Sequence, residues 1–126
     1  MPDEEFEKLV EKAVDGLPEE FLKKLENVSI VTQDYPSRSQ TDFLHSRGER
    51  GFLLGLYQGI PRTRRGNYGI GGVLPDKITI FKIPLLMISR TKSQIEKNVR
   101  DTVIHEIAHH FGMSDLEIHK KLGGEN

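Results

Sequence analysis

Apolar residues recur at helical spacing from the start of the chain: Phe6, Leu9, Val10, Ala13, Val14 and Leu17. The pattern predicts a helix over 3–15, with Asp3 as its cap and Gly16 as its stop. Pro18 opens a second short helix that gathers Phe21, Leu22 and Leu25 on one face. The β-branched run 28–32 predicts a strand, and the polar stretch 33–39, with Tyr35-Pro36, a loop. Residues 52–58 (FLLGLYQ) read as a second strand. Gly55 within it signals a bulge, an edge position or a close approach by another backbone. The stretch 62–72 combines three arginines with four glycines and reads as a long loop. In 77–82 (KITIFK), Ile78, Ile80 and Lys82 alternate with Thr79 and Phe81, the clearest strand pattern in the chain. Pro84 is expected to end it, with 85–88 as a short buried connection or helical turn.

The last third carries the longest helical pattern. Ile95, Val99, Val103 and Ile107 form one apolar row, flanked by Ile104, Ala108 and Phe111. Ser93 and Glu96 have the form of a capping box, and Gly112 is the expected stop. Ser114 and Glu117 form a second box that starts a further short helix. Helices at both ends with short strands between them predict an α+β fold, a small sheet packed on helices.

A length of 126 residues suits one domain spanning 1–126. The chain has no cysteine, so thiolate-bound zinc, iron–sulfur clusters and disulfides are excluded. A formal net charge of −1 argues against binding to nucleic acid through bulk positive charge. No apolar run is long enough to span a bilayer. The acidic start lacks the basic and apolar regions of a signal peptide, so the expected compartment is the cytoplasm.

The chemistry concentrates at 105–115, His-Glu-Ile-Ala-His-His-Phe-Gly-Met-Ser-Asp. His105 and His109 are four apart in the long helix, one turn apart on one face. Two imidazoles so placed reach one metal ion, and Glu106 reaches a water bound to it. That is the H-E-x-x-H arrangement, two ligands and a general base. A hydrolytic zinc site needs a third protein ligand. Gly112 can turn the chain after the helix and return Asp115 to complete the set. Glycine is about 7% of average sequence, so requiring Gly112 removes roughly thirteen of every fourteen chance matches. His110, adjacent to a ligand position, is expected to pack or support rather than bind.

These residues carry a resemblance. With GFLLGLYQGIPRTRRG at 51–66 and DKITIFKIPLL at 76–86, the chain resembles the zincin metallopeptidases, most closely the small bacterial minimal zincins. The likeness runs from about residue 3 to residue 122. It implies a compact α+β domain with a small mixed sheet packed on the metal-binding helix. By position, His105 and His109 match the histidine ligands, Glu106 the catalytic glutamate and Asp115 the acidic third ligand of Zn²⁺. Aspartate there is also similar to the snapalysin-type zincins, whereas metzincins carry a third histidine.

The implied reaction is hydrolysis of a peptide or protein substrate. Tyr57, Arg64, Arg65, Tyr68 and His119 are candidates for contacts to the substrate or to the developing oxyanion. Residues 53–58 are a candidate edge strand for an extended peptide. Two other readings stay open. One is a metal-dependent ribonuclease, kept by Arg62, Arg64 and Arg65 and disfavoured by Glu106. The other is a non-catalytic zinc domain for partner binding, which would tolerate loss of Glu106.

Overall fold

The structure, a computed structural model, describes residues 1–46, 53–59 and 75–112, without the side chain of Leu44. The element order is α1 (Asp3–Asp15), α2 (Glu19–Lys24), β1 (Val28–Gln33), α3 (Arg38–Ser46), β2 (Gly55–Gln58), β3 (Asp76–Phe81), α4 (Lys82–Met87) and α5 (Lys92–Phe111). The fold is α+β, with a mixed three-stranded sheet. The expected loop 62–72, the helix after Ser114 and the single-domain extent over 1–126 involve residues outside this description.

β3 lies at the centre of the sheet, parallel to β1 and antiparallel to β2. Its alternation sorts the side chains. Ile78 and Ile80 join the main core against α1 and α5, while Phe81 meets Leu53 and Leu56 in a smaller cluster. The main core draws Phe6, Val10 and Ala13 from α1, Phe21 from α2, and Ile95, Val99, Val103 and Ile107 from α5. The central apolar rows read from the sequence are buried, whereas Leu9, Val14, Leu22 and Leu25 pack partly buried at the margin and Phe111, expected beside the row of α5, is 47% exposed. Fully burying one core side chain is worth roughly 1.5–3 kcal/mol, so α5, which with Ile104 contributes five of them, anchors the fold.

Several boundaries differ from expectation, each for a local reason. Asp3 does not cap α1. It is the first helical residue, and its carboxylate accepts a 2.6 Å hydrogen bond from the buried Lys82 ammonium. The cap of α5 is Thr91, not Ser93: Thr91 Oγ1 accepts from the N–H of Gln94 at 3.1 Å. Gln94 in turn accepts from the N–H of Arg90 at 2.6 Å through Oε1. The strand expected over 52–58 is regular only over Gly55–Gln58. β3 stops at Phe81, and Lys82 already starts α4. Pro84 therefore sits inside the first turn of a helix, where its missing N–H costs nothing.

The polar stretch after β1 is only partly loop, because α3 begins at Arg38. Its start is a reciprocal box. The N–H of Gln40 donates to Ser37 Oγ at 3.2 Å, and the N–H of Ser37 donates to Gln40 Oε1 at 2.8 Å. No described helix is long and apolar enough to cross a membrane.

Candidate active site

α5 delivers the site because its residues alternate between core and surface over one turn. Val103, Ile104, Ile107 and Ala108 are buried, and His105, His109 and His110 are exposed. Glu106 falls on the inward side and is only 4% exposed. A buried carboxylate needs hydrogen-bond donors, and β2 supplies one. Glu106 Oε1 accepts from the main-chain N–H of Tyr57 at 2.9 Å.

That donor is available because of the strand register. The N–H of Phe81 donates to the carbonyl of Leu54 at 2.9 Å, which fixes Leu54 and Leu56 as residues bonded to β3. Gly55 and Tyr57, one position out of phase, turn their N–H and C=O away from β3. β2 is an edge strand, and its outer edge faces α5. Gly55 permits the approach. A Cβ there would lie 2.5 Å from Thr102 Cγ2 and 3.1 Å from the carbonyl oxygen of Thr79. Of the expected meanings of this glycine, edge position and close packing are the observed ones, with a side chain as the approaching group.

Tyr57 makes further contacts through its side chain. Its hydroxyl donates to Asp76 Oδ2 at 2.8 Å, and its ring stacks on His110 with centroids 3.9 Å apart and planes at 16°. Phe43, Tyr57, Gly59, Glu106, His109 and His110 line a cavity of about 460 Å³. His105 and His109 stand one turn apart, ring centroids 4.9 Å apart and tilted by 57°.

Two imidazoles on one exposed helix face fit the donor chemistry of a zinc ion. Among the described residues no third His, Asp or Glu joins them to complete a metal-binding group. Asp115 lies outside the described residues, as do Arg62, Arg64, Arg65, Tyr68 and His119. Gly112, the last described residue, has φ 65° and ψ 32°. That left-handed conformation ends α5, the stop the sequence pattern expects. Behind it, Phe111 packs under the Lys24 ammonium, 4.6 Å from the ring centroid.

Sequence reasoning did not find Asp76, which holds the Tyr57 hydroxyl, or Phe43, which closes the cavity. Asp76 opens the clearest strand pattern of the chain and nothing local marks its partner. Phe43 belongs to the helix whose Ser37–Gln40 box is the one local signal that could have found it.

A solved structure, described as a conserved hypothetical protein from Thermo thermophilus, is similar in fold. It is 26% identical, covers 88% of this chain and 94% of its own, and superposes with a TM-score of 0.52. No curated protein matches the chain significantly. The zincin-like metallopeptidase profile matches residues 25–124, a span that holds β1 to β3, α5 and the H-E-x-x-H segment. This chain belongs to the zincin-like metallopeptidase family.

Proposed function

We propose that the chain is a zinc-dependent peptidase that hydrolyses peptide bonds with Glu106 as general base. The observation that carries this reading is the placement of Glu106. Its carboxylate is buried in the cavity wall, fixed by the Tyr57 N–H, and sits between His105 and His109 in sequence.

His105, His109 and Asp115 would hold the ion. When bound, zinc polarises a carbonyl and lowers the pKa of water to about 7. Glu106 takes the proton of the attacking water on its carboxylate and returns it to the departing amine nitrogen. The Tyr57 N–H keeps that carboxylate aimed into the cavity throughout. The outer edge of β2 is taken up by α5, through the Tyr57 N–H on Glu106 and the packing of Gly55 on Thr102, so the substrate is placed in the cavity beside Glu106 rather than paired along β2. Tyr57 contributes through its main chain here, since its hydroxyl is given to Asp76.

The test pairs wild type with Glu106→Gln, each assayed for bound zinc and for cleavage of a diverse peptide library. Zinc in both and cleavage only by the wild type is the expected result. Cleavage by both removes Glu106 from the mechanism, and zinc in neither after reconstitution overturns the reading. Asp115→Ala should lower zinc affinity by at least about tenfold; unchanged affinity in a zinc titration removes Asp115 from the ligand set.

A further inference from the structure

The opposite edge of the sheet carries a second surface. In the parallel ladder the N–H of Asp76 donates to the carbonyl of Asn27 at 3.2 Å. That bond fixes the phase: Ser29, Val31 and Gln33 turn their main-chain groups toward β3, and Ile30 and Thr32 turn theirs outward. Among the described residues nothing pairs with the outward N–H and C=O of Ile30 and Thr32. β1, Val-Ser-Ile-Val-Thr-Gln, also holds no charge or proline, devices that keep an edge strand from pairing. Val31 is 37% exposed.

This edge borders a groove of about 570 Å³, between β1 and α1. Val10, Val14 and Ile30 give it an apolar floor, and Glu7, Glu11 and Asp15 line its helical side. The three carboxylates are exposed and form no ion pair among the described residues. Asp3 at the start of α1 meets Lys82, next to the end of β1, so α1 runs antiparallel to the strand beside it. Glu7, Glu11 and Asp15 recur every four residues, a rise of about 6 Å per step along the helix. Alternate residues of an extended strand recur every ~6.6 Å. The two pitches match.

We propose that this groove binds an extended, basic segment of a partner protein, which adds to β1 as a fourth strand. Main-chain bonds form to Ile30 and Thr32. Lys or Arg at every second position faces Glu7, Glu11 and Asp15. Charge selects the occupant. A second copy pairing through the same edge would bring two acidic rows together, and like charges so placed repel. Nucleic acid and anionic membrane are disfavoured for the same reason. The site lies across the sheet from the cavity at Glu106 and does not depend on hydrolysis.

The probe is a short fluorescent peptide alternating Lys and Val, read by anisotropy at low salt against the metal-free and zinc-loaded chain. Binding is expected, weakening with salt. Glu7→Lys with Glu11→Lys should weaken it by about tenfold or more. Thr32→Pro should also weaken it, since it removes an outward N–H without breaking the ladder to β3. If that variant fails to fold by circular dichroism, the same peptide N-methylated at alternate backbone nitrogens tests the same bonds from the other side. Loss of binding on methylation supports strand addition. Equal binding of the methylated peptide reduces the groove to a charge patch and overturns the proposal. So does absence of binding by the wild type, or sedimentation showing that the edge is covered by a second copy.

Discussion

Gly55 and Thr102 meet more closely than any larger residue at 55 would allow. Thr102 cannot swing aside freely, because its hydroxyl donates to the carbonyl of Asn98 at 2.7 Å and its χ1 is thereby fixed. Gly55→Ala should therefore destabilise the protein by about 1–3 kcal/mol, the usual cost of overpacking. Adding Thr102→Ser deletes the clashing Cγ2 and keeps the hydroxyl, and should restore part of the loss, since the 3.1 Å approach to the Thr79 carbonyl remains. Urea melts of the two variants check this, and equal melts would mean the strand yields instead. The same contact sets the distance between β2 and α5, so the Tyr57–Glu106 bond depends on a residue with no side chain.

At the scale of elements, α5 is where sequence and structure agree best. Its apolar row, its length and its glycine stop are all local properties, readable from spacing. The exact start was not: the sequence reads Ser93 and Glu96 as a capping box, two residues inside the observed cap. The structure chooses Thr91, where the chain leaves an extended conformation at φ −132°. Thr91→Ala should cost about 1 kcal/mol, and Ser93→Ala should cost almost nothing; thermal melts of the pair separate the two assignments. α3 was missed because its pattern is weak and polar. β3 and its alternation were plain, yet the pairing of β3 with β1 rather than β2 alone is a long-range fact that no local pattern contains. The site divides in the same way. His105, Glu106 and His109 share one turn and were legible together. The Tyr57 N–H was not, since it depends on the phase of β2 against β3.

For the molecule as a whole, ion pairs tie α1 to α5 across the outside of the core: Lys92 to Glu5 at 2.9 Å and Lys12 to Glu96 at 3.3 Å. The hydrogen bond from Lys92, and then its charge, hold the Glu5 carboxyl below its ordinary value; the same contact lifts Lys92 above the usual lysine range. Glu5, lowered on folding, adds stability above the ordinary carboxylate range and loses it as pH falls through its folded pKa. Lys92, raised on folding, adds stability below the ordinary lysine range and loses it as pH rises through its folded pKa. The pair thus acts across neutral pH and fails at both extremes. Glu5→Gln should lower Tm slightly at pH 7, and the gap should close in acid and in high salt. A gap that persists in acid would assign the effect to packing.

The strand order has a consequence for the chain as it is made. β1 emerges early, but its neighbour in the sheet ends at residue 81, and residue 81 follows residue 33 by 48 positions. At ordinary rates of synthesis that interval lasts roughly 2–10 s. Throughout it, the six residues of β1, without a charge or proline, lack the strand they pair with. Until β3 arrives β1 has no partner in the sheet, so its pairing waits on the synthesis of residues 76–81.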